Sequence, residues 1–443
     1  MCEGQGKSPW QKGVELPSFL PLAGDKTVDV LIIGGGMAGV LTAYCLHQSG
    51  VDYALVEQDR VGSGVTGRTT AKLTAQHGLI YHRLLKMGGE ATARAYWQAN
   101  TDALERYVTL CADMDCDYQV TDHTVYSLDN GRLIEDELTA LERIGCPAKC
   151  PRELSLPFEV AGAVTFPRQA QFHPLRFLAG ILPGLHIYEH TRVRQLEGTT
   201  AVTDRGRIRA GRVIVATHFP FINKHGSYFL KLHQHRSYVL ALEGATLPPG
   251  MYVDDDTAGL SFRTWGDRLL LGGGGHRTGQ PGGNWAELRA FARQHYPDAT
   301  ETAAWATQDC VSLDGMPYVG QYSATTPRLY VATGFNKWGM TGSMAAATLL
   351  CELITGRHSP YAGLFSPSRS MLRPRLLVNG YHAIKSLVTP TTPRCPHLGC
   401  ALTWNAAEHS WDCPCHGSRF DETGRRLNNP ATGDLPIKKQ GAE

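Results

Sequence analysis

The apolar run Val28-Asp-Val-Leu-Ile-Ile33 leads without a break into Gly34-Gly-Gly36-Met-Ala38-Gly39, and few folds accept that succession. It reads as a β-strand, a tight turn and the start of a helix. Gly34 permits the turn, Gly36 lets the backbone approach a pyrophosphate at the helix N-terminus, and Gly39 allows the helix to lie close on the strand, with Ala38 in the same small-residue turn. Eighteen residues beyond Gly39, a second run, Val51-Asp-Tyr-Ala-Leu-Val56, ends in Glu57, an acid suited to a ribose hydroxyl. A glycine fingerprint alone is weak evidence. With strands on both sides and Glu57 in place, it implies a dinucleotide-binding α/β unit.

A second constellation lies far along the chain: Cys395-Pro-His397-Leu-Gly-Cys400, then fifteen residues between His397 and Cys413, then Cys413-Pro-Cys415-His416-Gly-Ser418. Two short loops, each carrying one Cys and one His, can meet face to face around a two-iron cluster, which selects Cys395, His397, Cys413 and His416 as ligands. Cys400 and Cys415 are left over, one per loop, where a disulfide could tie the loops together if their Cβ atoms approach to about 4 Å. Mixed Cys and His at short spacing also suits zinc, although a spare Cys in each loop is unusual for a zinc knuckle.

The segment from about Pro393 to Leu435 resembles the cluster-binding subdomain of the disulfide-bearing Rieske proteins. The resemblance implies a 2Fe-2S cluster in which two imidazoles replace two thiolates on one iron and raise the reduction potential. It further implies that Leu398 shields the cluster, that Asn429-Pro430-Ala431 is a third, proline-bearing loop, and that the Ser418 hydroxyl bonds a cluster sulfur. The segment is short, because only Leu372 to Arg394 is available for the strands that normally precede the first ligand loop. About 50 residues bury little core unaided, so cluster, disulfide and packing on the rest of the chain must supply the difference.

FAD and NAD share the N-terminal fingerprint. The stretch beyond Glu57, Val61-Gly-Ser-Gly-Val-Thr66-Gly-Arg68-Thr69-Thr70-Ala-Lys72-Leu-Thr74, resembles the small-residue loop of the D-amino-acid oxidase and glycine oxidase family, where it crosses the flavin. Asp314-Gly-Met-Pro317 and the strand, turn and helix start Leu329 to Thr341 resemble two further family segments, in family order. In that family the returning turn, here Gly334, Trp338, Gly339, Met340 and Thr341, holds the ribityl chain and the pyrimidine edge of the flavin. The resemblance implies FAD. Many members attach it through a cysteine, but Gly334 to Met344 contains none, so noncovalent FAD is expected; Cys310 reads as a small buried hydrophobe.

The expected fold is α/β: a Rossmann-type FAD-binding domain with a mixed or antiparallel substrate-side sheet, plus a small, shortened, all-β and loop Rieske module. Residues 1–27 read as an arm, 28–358 as the oxidoreductase, 359–392 as a linker marked by Pro360, Pro367 and Pro374, and 393–443 as the Rieske module. Within the oxidoreductase, 28–85, 160–220 and 305–358 are assigned mainly to FAD binding, and 86–159 and 221–304 mainly to the substrate side. A net charge of +2 and a charged fraction of 19% leave no basic footprint for nucleic acid. Residues 1–26 hold three prolines and no signal-peptide core, and no apolar run reaches the roughly 20 residues of a spanning helix. A cytoplasmic location is expected, with burial protecting the Cys400–Cys415 disulfide against a reducing compartment.

FAD accepts two electrons at once and a Rieske cluster passes one, so the expected activity is oxidation of an amine or amino acid, with electrons leaving singly through the cluster to an external protein or quinone. Arg263 is the leading candidate to anchor a small-molecule substrate, with His276, Tyr238, Arg236 and His173 as weaker ones. A reductase drawing on a ferredoxin-like donor shares every motif, and a non-enzymatic redox sensor is a further alternative. High-potential Rieske proteins carry a tyrosine where this chain has Phe420, and hydrogen bonds to sulfur favour the reduced cluster. Phe420→Tyr is therefore expected to raise the cluster potential in an EPR-monitored redox titration; an unchanged or lower value would remove the reasoning.

Overall fold

The protein is described by a computed structural model covering residues 6–247, 249–390 and 393–436. The outermost residues of the expected arm, linker and module (1–5, 391–392 and 437–443) lie outside that description. The strand Lys26–Ile33 sits at the centre of the first sheet, parallel to Tyr53–Val56 on one side and to Arg207–Val215 on the other. Ile187–Tyr188 and Leu329–Thr333 extend the parallel order at its two edges, and antiparallel Tyr318–Gln321 closes one end. Residues Val30 to Ile32 are completely buried, as expected for a strand covered on both faces. One cover is the helix Met37–Gln48, the other half of the fingerprint.

The second sheet is mixed and eight-stranded, running Thr300–Ser312, Leu232–Glu243, Arg268–Arg277, Ser261–Trp265, Met251–Asp254, Gln119–Ser127, Gly162–Gln171 and Lys72–Leu73 in spatial order. All neighbours are antiparallel except Met251–Asp254 with Gln119–Ser127. Two boundaries differ from the sequence-based partition. Gly162–Gln171 and the strand beginning at Thr300, read in part as FAD-binding, belong to this sheet because their partners are Gln119–Ser127 and Leu232–Glu243. The helix Tyr81–Cys111 is interrupted at Gly89, whose φ of 74° only glycine adopts cheaply.

The third sheet is the cluster module: Thr403–Asn405, Ser410–Asp412, Arg419–Asp421 and Arg426–Asn428, antiparallel throughout. The segment read as a linker contains the helix Pro374–Val388, started by Pro374 at its first turn. The missing base of the module is replaced by the substrate-side sheet. Leu232–Glu243 turns one face to it, and side chains two apart on that face, Gln234, Arg236 and Tyr238, all bond it. Gln234 donates to the carbonyls of His416 and Asn429 at 2.9 and 2.8 Å, and Gln308 from the neighbouring strand donates to Gly417 O at 2.9 Å. The fit is close: a Cβ on Gly417 would stand 2.4 Å from Gln234 Cβ.

At the centre of this joint, Glu408 accepts from Arg236 and from Arg419, and Arg419 Nε bonds Asp412 at 2.9 Å. All four side chains are at most 4% exposed. Burial alone would raise the Glu408 carboxyl, but Arg236 and Arg419 outweigh it and hold it at about 2, below its ordinary 4.5. A carboxylate held low stabilises the fold fully above its unfolded value, and that stability is lost as pH falls through the folded one. Glu408→Gln leaves two buried guanidinium groups short of charge and is expected to lose about 3–5 kcal/mol at neutral pH in a denaturant titration. Its stability curve should be flatter than the parent's between pH 4.5 and about 2. An unchanged midpoint at pH 7 would show that the network does not hold the module.

Candidate functional site

The turn between strand and helix behaves as its glycines require. Gly34 has φ of 113°, and a Cβ there would lie 2.5 Å from Ala216 O; on Gly39 a Cβ would lie 1.9 Å from Gly34 O. Beside Gly36 the nearest obstacle is Thr66 Oγ1, which accepts from Met37 N at 2.9 Å and so caps the helix from the crossing loop. Glu57 accepts from the Gly35 N–H at 2.6 Å and the Asp59 N–H at 3.0 Å. Burial raises its carboxyl, and those N–H groups oppose the rise.

These residues line a large cavity. Of the sequence-selected FAD residues, Gly34, Gly36, Ala38, Glu57, Thr66, Arg68, Gly339 and Met340 line it. Gly39, Thr69, Thr70, Gly334, Trp338 and Thr341 do not line it. Thr341 Oγ1 accepts from Thr74 N at 2.9 Å, which ties the returning helix to the crossing loop. Gly334, Asn336 and Lys337 all have positive φ, at 72°, 53° and 73°. For the two non-glycine residues this is stored strain of the kind that collects at functional turns. The far wall belongs to the cluster module, through Glu408, Arg419 and residues 426–432.

Within the module the ligand loops meet. The Cys395 and Cys413 thiols are in hydrogen-bond contact, and the His397 and His416 rings lie 4.9 Å apart and perpendicular. His416 Nε2 bonds Phe229 O at 3.0 Å; a carbonyl only accepts, so Nε2 carries the proton. His397 Nε2 likewise reaches Asn223 Oδ1 at 2.9 Å. The other nitrogen of each ring, Nδ1, is buried without a partner, which fits a metal-bound imidazole whose outer nitrogen is held by a carbonyl or amide. Cys400, Cys413, Cys415 and His416 also converge within 4.8 Å. Cys400 and Cys415 are joined in a disulfide, so that grouping is not available to a metal.

The structure gives each substrate anchor expected from sequence partners within the protein, and of these residues Arg236 also lines the cavity. Arg263 is fully buried; Nε donates to Gln171 Oε1, NH2 to Phe172 O and NH1 to the carbonyls of Thr70 and Ala71, with the guanidinium over Trp10. It is a hub for loop carbonyls. Arg236 and Tyr238 bond Glu408, and His276 stacks on Tyr238 at 5.8 Å, so all three serve the module joint. His173 caps the helix Pro174–Ile181 by accepting from Arg176 N at 3.2 Å.

The side chains that gather beside the returning turn were not selected from sequence. His77 stacks on Trp338 at 5.2 Å and His123 meets the same ring edge-on at 5.6 Å. His123 bonds Gln76 through Nδ1 and leaves a buried, unpartnered Nε2. Burial, reinforced by Arg263 and Lys337, pushes the Lys72 amine down to about 7. Lys337 donates to Thr257 O at 3.1 Å, and burial drives the nearby Asp309 up to about 6 against the pull of Lys337 and Arg236. The one sequence signal for this group was the position of Lys72 and Lys337 inside the two flavin segments.

Residues 29–353 match the family of FAD dependent oxidoreductases, and residues 382–439 match the Rieske 2Fe-2S domain. YhfW of Bacillus subtilis (strain 168), named as a Rieske 2Fe-2S iron-sulfur protein, is 34% identical over 96% of both chains. Gamma-glutamylputrescine oxidoreductase of Escherichia coli (strain K12) is 25% identical over 76% of this chain and 87% of its own. The glycine oxidase of Geobacillus kaustophilus shares the fold, with a TM-score of 0.64 at 20% identity over 78% of this chain and 100% of its own. A dinucleotide cradle in one half and facing Cys–His loops in the other are thus the two cofactor sites of a chain that belongs to the FAD dependent oxidoreductase family and carries a Rieske 2Fe-2S domain.

Proposed function

We propose that the chain oxidises an amine or amino acid at its C–N bond and sends the electrons singly from FAD through the Rieske cluster to an external protein or quinone. The observation that carries this reading is the shared cavity, whose walls are the fingerprint glycines on one side and residues 426–432 of the cluster module on the other. When bound, FAD takes up two electrons together and the cluster relays them one at a time, which favours a dehydrogenase over an oxidase. The substrate class is supported by the names of the relatives, a glycine oxidase and a gamma-glutamylputrescine oxidoreductase.

In this reading Cys395 and Cys413 hold one iron and His397 and His416 hold the other through Nδ1. The turn of Gly34, Gly36, Ala38 and Gly39 receives the pyrophosphate, Glu57 a ribose, and Thr66, Arg68 and the turn from Gly334 to Thr341 the remainder of a noncovalent FAD. Cys310, buried and in contact with Thr333 Oγ1 at 3.7 Å, is a structural thiol. Lys72 and Lys337 orient the polar end of the substrate. Near pH 7 the lowered Lys72 amine is able to take the proton that a substrate ammonium must lose before its α-hydrogen leaves as hydride.

Anaerobic stopped-flow mixing of the loaded enzyme with a panel of amines and amino acids tests the proposal. The expected result is bleaching of the flavin absorbance followed by the EPR signal of the reduced cluster. Bleaching without cluster reduction, with efficient hydrogen peroxide release in air, would make the protein an oxidase. Flavin reduction only through the cluster, by a low-potential donor, would reverse the direction of flow.

A further inference from the structure

The helix Pro374–Val388 is built inside out. Leu377, Tyr381, Ile384 and Val388, spaced i, i+4, i+7 and i+11, share one face and are 78%, 61%, 65% and 72% exposed. The opposite face is polar and buried. Asn379 donates to Leu230 O at 3.0 Å and accepts from Arg277 NH1 at 2.9 Å, and Ser386 O accepts from Ala401 N at 2.9 Å. A helix on the surface of a globular protein ordinarily turns its apolar stripe to the core. Here the core-facing hydrogen bonds fix the helix the other way round, and Leu372, 84% exposed just ahead of it, extends the apolar surface.

The segment that carries this stripe has charge of one sign. Residues 353–407 contain six Lys or Arg and no Asp or Glu, whereas the whole chain carries 43 and 41; of the six, Arg369 is ion-paired with Asp314. Lys385 borders the stripe, its Nζ 6.0 Å from the Tyr381 ring. We propose that this face docks on the surface of an anionic lipid bilayer, the helix lying in the interface with its four apolar side chains among the acyl chains and the flanking cations against headgroups. A second copy of the chain suits the face poorly: a two-fold contact sets the patch against itself and opposes like charges in a segment that contributes no carboxylate of its own. No helix among the described residues is long and apolar enough to cross a membrane, so the association is peripheral. The other side of the helix is packed on the cluster module through Ala383 and Ser386. Docking therefore holds that module about one helix diameter, some 10 Å, from the lipid, whichever way electrons run.

Cosedimentation of the cofactor-loaded full chain with vesicles tests this, using phosphatidylcholine alone and phosphatidylcholine mixed with phosphatidylglycerol. Binding to the mixed vesicles is expected to be at least about tenfold stronger and to fall with added salt. Leu377→Glu with Ile384→Glu, both at exposed positions, should keep flavin and cluster absorbance and lose at least about tenfold in binding. Protein that stays in the supernatant with both vesicles, or a double variant that binds as well as the parent, would overturn the proposal. So would light scattering that shows a dimer split by the double variant, which would assign the face to a second copy.

Discussion

The position of Glu408 between Arg236 and Arg419 is the constraint on which the rest of the molecule depends. It joins a turn of the cluster module to the strand Leu232–Glu243 of the substrate-side sheet, with all the charged groups out of water. Such a network is a poor source of net stability, because desolvation offsets much of the attraction, but it is intolerant of displacement. A shift of the module by one strand residue would strand a charge and turn Gln234 away from the His416 carbonyl, since neighbouring side chains on a strand point to opposite faces. The joint thus fixes register as much as it holds two parts together.

That fixed register explains how so short a module can exist. Its own apolar core is a handful of residues around Cys395, Cys413, Phe420 and Leu435, far less than a free-standing domain of that length needs. The remainder comes from outside: Arg277 donates to the carbonyls of Pro414 and Cys415, Asn429 to Phe219 O, and a disulfide links the two ligand loops. The module is better described as a cap folded onto the oxidoreductase than as a domain tethered to it.

What could be read from sequence was what is encoded over a few residues. The glycine turn, Glu57 and the Cys–His loops each carry their chemistry within one short segment, and the structure places each of those segments together. The partners of the residues read as substrate anchors were not legible, because they lie far away in the chain. Nothing near Arg236 in sequence announces Glu408, and nothing near Arg263 announces the carbonyls of Thr70 and Phe172. An arginine on a strand beside an active-site sheet was as compatible with a buried structural role as with a substrate, and tertiary pairing decided it. The linker was misread for the opposite reason: its prolines are real breaks, but Pro374 starts a helix instead of ending one.

The same joint bears on electron transfer. The proton on His416 Nε2 is held by Phe229 O and that on His397 Nε2 by Asn223, so the outer hydrogen bonds of both imidazoles come from the oxidoreductase half. Outer partners of a metal-bound imidazole set its orientation and basicity, and through them the potential of the metal. With His397 and His416 as the proposed iron ligands, undocking the module would therefore do more than lengthen the distance between cofactors: it would remove the groups that tune the cluster. On that assignment the tuning of the one-electron site and its placement against the two-electron site would be a single structural property, because both rest on contacts between the module and the oxidoreductase half.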